Sequence, residues 1–182
     1  MAAHSDHGCS NCHVPHKAGT ADDPDASWGV PLWSTAQTSD GLPTFTLYSS
    51  ETFDALGTDI GQPDGPSKLC LGCHDGSYEV FDFIPDSEAI FGTESLATSH
   101  PVSFTYDSTL ANKTDGELAI PGTTQSGLGG TIAHDLLDSQ NKMQCTSCHD
   151  VHTTGIGEYL LRYDTGPDNE NDQVLCRVCH NK

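Results

Sequence analysis

All eight cysteines of this 182-residue chain fall in four copies of one five-residue pattern. The copies are Cys9-Ser10-Asn11-Cys12-His13, Cys70-Leu71-Gly72-Cys73-His74, Cys145-Thr146-Ser147-Cys148-His149 and Cys176-Arg177-Val178-Cys179-His180. C-x-x-C-H is the attachment signature of c-type haem. Cysteines three apart on a helical turn project to one side, so both sulfurs can bond to the two vinyl groups along one haem edge. The histidine that follows then sits beneath the iron as proximal ligand. The pattern predicts four haem c groups held through Cys9, Cys12, Cys70, Cys73, Cys145, Cys148, Cys176 and Cys179, with His13, His74, His149 and His180 as proximal ligands.

Disulfides, zinc sites and iron–sulfur clusters also use cysteines in sets. None of them requires histidine after every second cysteine. With 10 His in the chain, four such placements by chance are on the order of one in 10⁵, which disfavours all three.

Six further histidines, His4, His7, His16, His100, His134 and His152, are available for the distal faces. Methionine is the usual competitor, but Met143 lies two residues before Cys145, too close to swing over that haem's far face. Bis-histidine ligation is therefore expected throughout, and with it low reduction potentials. His16 and His152 each follow a proximal histidine by three residues. On a helical turn such a pair faces one way, so the second imidazole is expected on a different haem. His100, restricted to extended geometry by Pro101, is assigned to the second haem. His134, expected to head a short helix running towards Cys145, is the fourth distal candidate, with His4 and His7 as alternates to His134 or His16.

Hydrophobic residues make up 35% of the chain, beside 18 Gly and 10 Pro; apolar material is scarce and turn formers are plentiful. The expectation is a single tetrahaem domain over 1–182. It is mostly irregular and loop-rich, with short helical turns at the motifs, a few short strands and a core built from stacked haems. The motif starts are 61, 75 and 31 residues apart, with no longer repeat. Trp28–Lys68 reads as irregular loop, Tyr78–Ile84 and Val102–Tyr106 as short strands, Gly127–Gly130 as a turn, and Ala133–Leu137 and Glu158–Arg162 as short helices. Trp28 and Trp33 are expected to pack on haem faces. The acidic run Asp164, Asp168, Glu170 and Asp172 lacks the glycine and terminal glutamate of an EF-hand, and Asn112-Lys113-Thr114 is a sequon of a kind common by chance.

With 26 acidic residues against 7 basic ones the formal net charge is −19, which excludes nucleic acid and anionic membrane surfaces as partners and suits cations or basic protein patches. No stretch approaches the ~18 apolar residues of a membrane span. The first residues lack the basic and apolar regions of a signal peptide, so a leader required for export is expected to have been removed ahead of this numbering.

At the four motifs, and above all at Cys9-Ser10-Asn11-Cys12-His13-Val14-Pro15-His16, the chain resembles the extracellular multihaem c-type cytochromes of the tetrahaem conductive-filament, or nanowire, type. The likeness extends to His100-Pro101-Val102 after the second motif and to the ending Cys176-Arg177-Val178-Cys179-His180-Asn181-Lys182; the loops between carry little of it. The resemblance implies a non-enzymatic electron carrier that self-associates into an extracellular filament after export. Its haems would stack in parallel and perpendicular pairs, with one iron ligated across the subunit boundary. His16 is the natural donor of that bond, with His4 or His7 as alternatives. Redox proteins or extracellular electron acceptors are the implied partners. Two other readings stay open, a monomeric periplasmic shuttle and a reductase with an open iron.

Overall fold

The computed structural model describes residues 9, 13, 44–55, 60–74, 95–113, 116–153, 160–164 and 173–181. Helix α1, Gly65–His74, carries the second motif. It starts where the Lys68 N–H donates to the Asp64 carbonyl (3.1 Å), with Pro66 in the first turn, where its missing N–H has no partner to lose. Its ten residues exceed the single turn expected there. Leu71 of α1 packs with Phe45 and Leu96 in a small buried cluster. Thr46 bridges Ser95 in parallel, which brings the segment leading to His100 down onto residues 44–47.

Two strands follow, β1 at Phe104–Thr105 and β2 at Lys142–Met143, paired antiparallel with Phe104 opposite Met143. The strand expected over Val102–Tyr106 is thus two residues long. Ser103 adopts φ 62, the left-handed region a serine rarely enters. Its N–H donates to the Met143 carbonyl, so the ladder stops there. Helix α2, Ser108–Lys113, is capped by Asp107, whose carboxylate accepts from the Leu110 N–H (2.9 Å). Helix α3, Ile132–Asp135, begins at Thr131, whose hydroxyl accepts from the His134 N–H. It closes at Leu136 instead of running on to Cys145, because the chain turns through Asn141 (φ 59) into β2.

Helices α4, Cys145–Cys148, and α5, Gln173–Cys179, carry the third and fourth motifs. Of the helix expected over Glu158–Arg162, residues 158–159 lie outside the described residues, Leu160 is in a 3-10 turn, and Leu161 and Arg162 are not helical. Leu160 takes φ 61 and Leu161 pairs antiparallel with His149. The Arg162 N–H donates to the Cys148 carbonyl (2.9 Å) and the Asp150 N–H to the Leu160 carbonyl (2.8 Å), so these donors join two segments rather than close a helical turn. The Gly127–Gly130 turn is present, closed by an antiparallel bridge between Gln125 and Thr131. At Gly130 a Cβ would lie 2.8 Å from both Asp135 Oδ1 and His134 Nδ1, so no side chain fits.

The polypeptide packs an apolar cluster of its own beneath the third and fourth motifs. Phe104, Tyr106, Leu110, Ile132, Leu136 and Met143 are buried in it, and Val178 and Cys179 of α5 lie against its edge. Burying each large apolar side chain contributes ~1.5–3 kcal/mol. The Tyr106 hydroxyl donates to the Ala119 carbonyl (2.6 Å), and burial pushes its pKa well above the ordinary phenol range. Among the described residues no helix is long and apolar enough to cross a membrane. Asn112 and Asp164 are exposed. Tyr78–Ile84, Trp28, Trp33, Thr114, Asp168, Glu170 and Asp172 lie outside the described residues.

Candidate haem-binding site

The second, third and fourth motifs lie on helical turns, and at the first the described residues Cys9 and His13 are joined by the same hydrogen bond. The His13 N–H donates to the Cys9 carbonyl (2.7 Å), His149 to Cys145 (3.0 Å) and His180 to Cys176 (2.9 Å), while the second motif lies within α1. Such a turn sets the two cysteines of a motif on one side and delivers the histidine at its end. This local geometry fits a covalently bound haem c, with the cysteine pair as thioether donors and the histidine on the iron. Among the described residues, Cys9, Cys70, Cys145, Cys148, Cys176 and Cys179 form no disulfide, which leaves their sulfurs available to a haem. Cys12 and the Cys73 side chain lie outside the described residues.

The third motif is joined to α1 by a polar network that motif spacing does not announce. The Cys145 N–H donates to the Ser67 hydroxyl (2.9 Å). Gln144, 1% exposed, uses its whole amide. Its Oε1 accepts from the Ser67 N–H (3.3 Å) and the Ser103 hydroxyl (3.1 Å), and its Nε2 donates to Asp64 (3.0 Å) and Asp138 (2.9 Å). Lys142 Nζ pairs with the other Asp64 oxygen at 2.5 Å. Gly65 sits at φ +50 with its missing Cβ 2.9 Å from Gln144 Nε2. Only a residue without a side chain lets α1 approach so closely. In the sequence, Asp64-Gly65-Pro66 signals a turn, but nothing there says what the turn meets.

The thiols show which motifs are neighbours. Hydrogen bonding with Cys70, helped by Ser67 and opposed by burial, lowers the Cys145 thiol to about 7. Burial raises Cys148 to about 11, with Cys145 and Cys176 adding to the effect. Cys179 is likewise raised to about 11 by burial and by Cys148. The third motif therefore stands beside both the second and the fourth.

The proximal histidines leave their turns against paired backbone. His149 is extended (φ −110, ψ 139) beside Leu161. Arg162 holds this exit through Nε to the Thr146 carbonyl (2.6 Å) and an ion pair with Asp150 (3.8 Å). His180 bridges Leu118, flanked by Ala119 N–H to the Cys179 carbonyl and Asn181 N–H to the Glu117 carbonyl.

Of the expected distal ligands, His152 lies on a turn in which Asp150 Oδ1 accepts from the His152 N–H (2.9 Å) and the Thr153 N–H (3.2 Å). Its ring stands 6.2 Å from that of His13, centroid to centroid, at an interplanar angle of 21°. Because the helix ends at Cys148, His149 and His152 do not share a helical face. The Asp150 turn, not helical spacing, sends His152 away from its neighbour. His100 places Nδ1 2.9 Å from the Pro101 carbonyl, which can only accept, so Nδ1 carries the proton and Nε2 is the basic nitrogen. Its ring stands 6.4 Å from that of His180 at 74°. The structure thus brings His100 to the fourth motif, not the second.

His134 is 81% exposed, with Nδ1 2.7 Å from Asp135 Oδ1. Asp135, which accepts first from the Ser126 hydroxyl, then from His134 and also from the Gly130 N–H, is held below the ordinary carboxyl range. Among the described residues His134 is not brought to a motif histidine. Met143 is buried in the apolar cluster. His4, His7 and His16 lie outside the described residues.

Turns of this kind, with cysteine pair and histidine, define a protein built to carry covalently bound haem. Residues 138–182, which hold the third and fourth motifs, match a family model described as the doubled CXXCH motif. The match spans roughly a quarter of the chain and indicates a multihaem c-type cytochrome, a haem-binding electron-transfer protein. No curated protein matches the chain.

Proposed function

We propose that the chain carries electrons along four covalently bound, bis-histidine haems and does so as the subunit of an extracellular filament. The observation that supports this reading most is the crowding of motifs around the third. The His152 ring stands 6.2 Å from that of His13, the Cys145 N–H donates to Ser67 of the helix that carries Cys70, and Cys179 feels the charge of Cys148. Attachment points so close together set their cofactors near one another. A bound haem supplies a one-electron carrier. The chain's own residues set the carriers side by side, and a second imidazole on each iron shuts substrates out.

Export accords with c-type chemistry, and the filament rests on the resemblance at Cys9–His16 and at the C-terminal motif. The charge of −19 suits cationic or basic redox partners. Pyridine haemochromogen analysis of the native protein is expected to return four haems, and negative-stain electron microscopy to show filaments. Uniformly monodisperse particles would overturn the filament and leave the electron carrier standing. A haem count below four would overturn the four-carrier chain.

A further inference from the structure

The geometry points to a haem-by-haem pairing of distal ligands: His152 is the second axial ligand of the iron held by His13, and His100 is that of the iron held by His180. The pairing rests on the reading of the motifs as haem sites and adds to it which part of the chain closes which iron.

The ring geometry carries the argument. Metal–imidazole bonds are ~2.0–2.1 Å long, so two rings on opposite sides of one metal have centroids ~6.3 Å apart. The observed separations are 6.2 Å and 6.4 Å. The rings of His13 and His152 are nearly parallel at a separation well beyond the ~3.5–4.0 Å of atoms in face contact. The two pairs share a separation but differ in interplanar angle, 21° against 74°. A shared axis through a metal fixes the distance and leaves rotation about that axis free, which accommodates both angles.

His100 is also held as a ligand is held. Metal-bound histidines donate their other ring N–H to a carbonyl or carboxylate, which orients the ring. His100 Nδ1 lies 2.9 Å from the Pro101 carbonyl. Its segment is pinned on one side by the Thr46–Ser95 bridge and on the other by Ser103 bonding Met143. His152 is placed by the Asp150 turn, itself braced by Arg162 and by the Leu160 carbonyl. The third motif then serves two irons, its own through His149 and the first through His152. The fourth iron is closed by His100, far ahead of His180 in the chain.

The test uses the haem-loaded protein and reads spin state by EPR and absorption. His152→Ala is expected to turn one haem in four from low to high spin. In a Cys9→Ala/Cys12→Ala background, which cannot attach the first haem, adding His152→Ala should produce no new high-spin haem. His100→Ala should behave the same way with respect to Cys176→Ala/Cys179→Ala. High-spin iron created by His152→Ala in the absence of the first haem, or none created in its presence, would overturn the assignment. Should the alanine variants yield no folded holoprotein, His152→Met retains a ligand. It is expected to raise the reduction potential of one haem in the complete protein and of none in the first-haem-less background; the reverse pattern overturns the pairing. Failure of the underlying haem reading would look different, as a wild-type protein with no haemochromogen spectrum.

Discussion

The third and fourth motifs are wound alike but supported differently. Around Cys145–Cys148 the polypeptide supplies the support itself. Gln144 and Ser147 are buried, every hydrogen-bonding group of the Gln144 amide is used, and α1 approaches through Gly65. Around Cys176–Cys179 the helix is largely exposed, with Val174, Cys176 and Arg177 at the surface, and it is tied down by backbone pairing to residues 116–119. A buried, fully satisfied polar network specifies one arrangement closely, because each unsatisfied member would cost its desolvation. An exposed helix on a short bridge is less constrained, so the cofactor and its distal ligand carry more of the positioning. The third motif is accordingly the fixed point from which the neighbouring sites are set.

That contrast can be broken most directly at Gln144. Replacing it with leucine keeps the volume but leaves the Ser67 N–H and the Ser103 hydroxyl without their acceptor and strips a donor from Asp64 and Asp138. A loss of ~2–4 kcal/mol is expected, measured as the denaturation midpoint of the haem-loaded protein by far-UV circular dichroism.

A smaller effect sharpens the same point through pH. Burial tends to raise the Asp150 carboxyl, but the His152 and Thr153 N–H groups, the Thr153 hydroxyl and Arg162 outweigh it and hold the pKa below the ordinary range. A folded pKa below the unfolded one stabilises above the unfolded value, and the contribution fades as pH falls through the folded value. Asp150→Asn should therefore cost up to ~1 kcal/mol at neutral pH. The gap to wild type should close in acid, below the ~3.9 of an ordinary aspartate. A gap independent of pH would show that the turn is held by shape alone.

The least expected effect lies at the fourth motif. Asn181→Ala removes an exposed bond from Nδ2 to the Gly116 carbonyl (2.9 Å) and leaves the backbone pairing in place, so ~0.5 kcal/mol is expected by the same denaturation assay. A loss as large as that of Gln144→Leu would erase the distinction between the two motifs.

The local turns were legible because C-x-x-C-H closes its hydrogen bond within five residues, and so was the Gly127–Gly130 turn. The helix at residues 133–137 was recognised but placed too far along, since the turn through Asn141 leaves a signal no stronger than any surface loop. The helix expected over Glu158–Arg162 does not continue through Leu161, which pairs with His149 in a contact that helical patterning cannot see. His152 was sent to another haem on the argument of a shared helical face, which the extended His149 does not provide. His100 was assigned to the second haem by order along the chain, which says nothing of the His180 ring that stands beside it.

The kind of cofactor and the cysteine and histidine chemistry that receives it are written in short-range spacing, where covalent geometry leaves one solution. Which motif stands beside which depends on groups far apart in the chain converging on Gln144, Ser67 and Ser103. Those contacts acquire their energy only when burial removes water from all of them together, so no window of the sequence contains them.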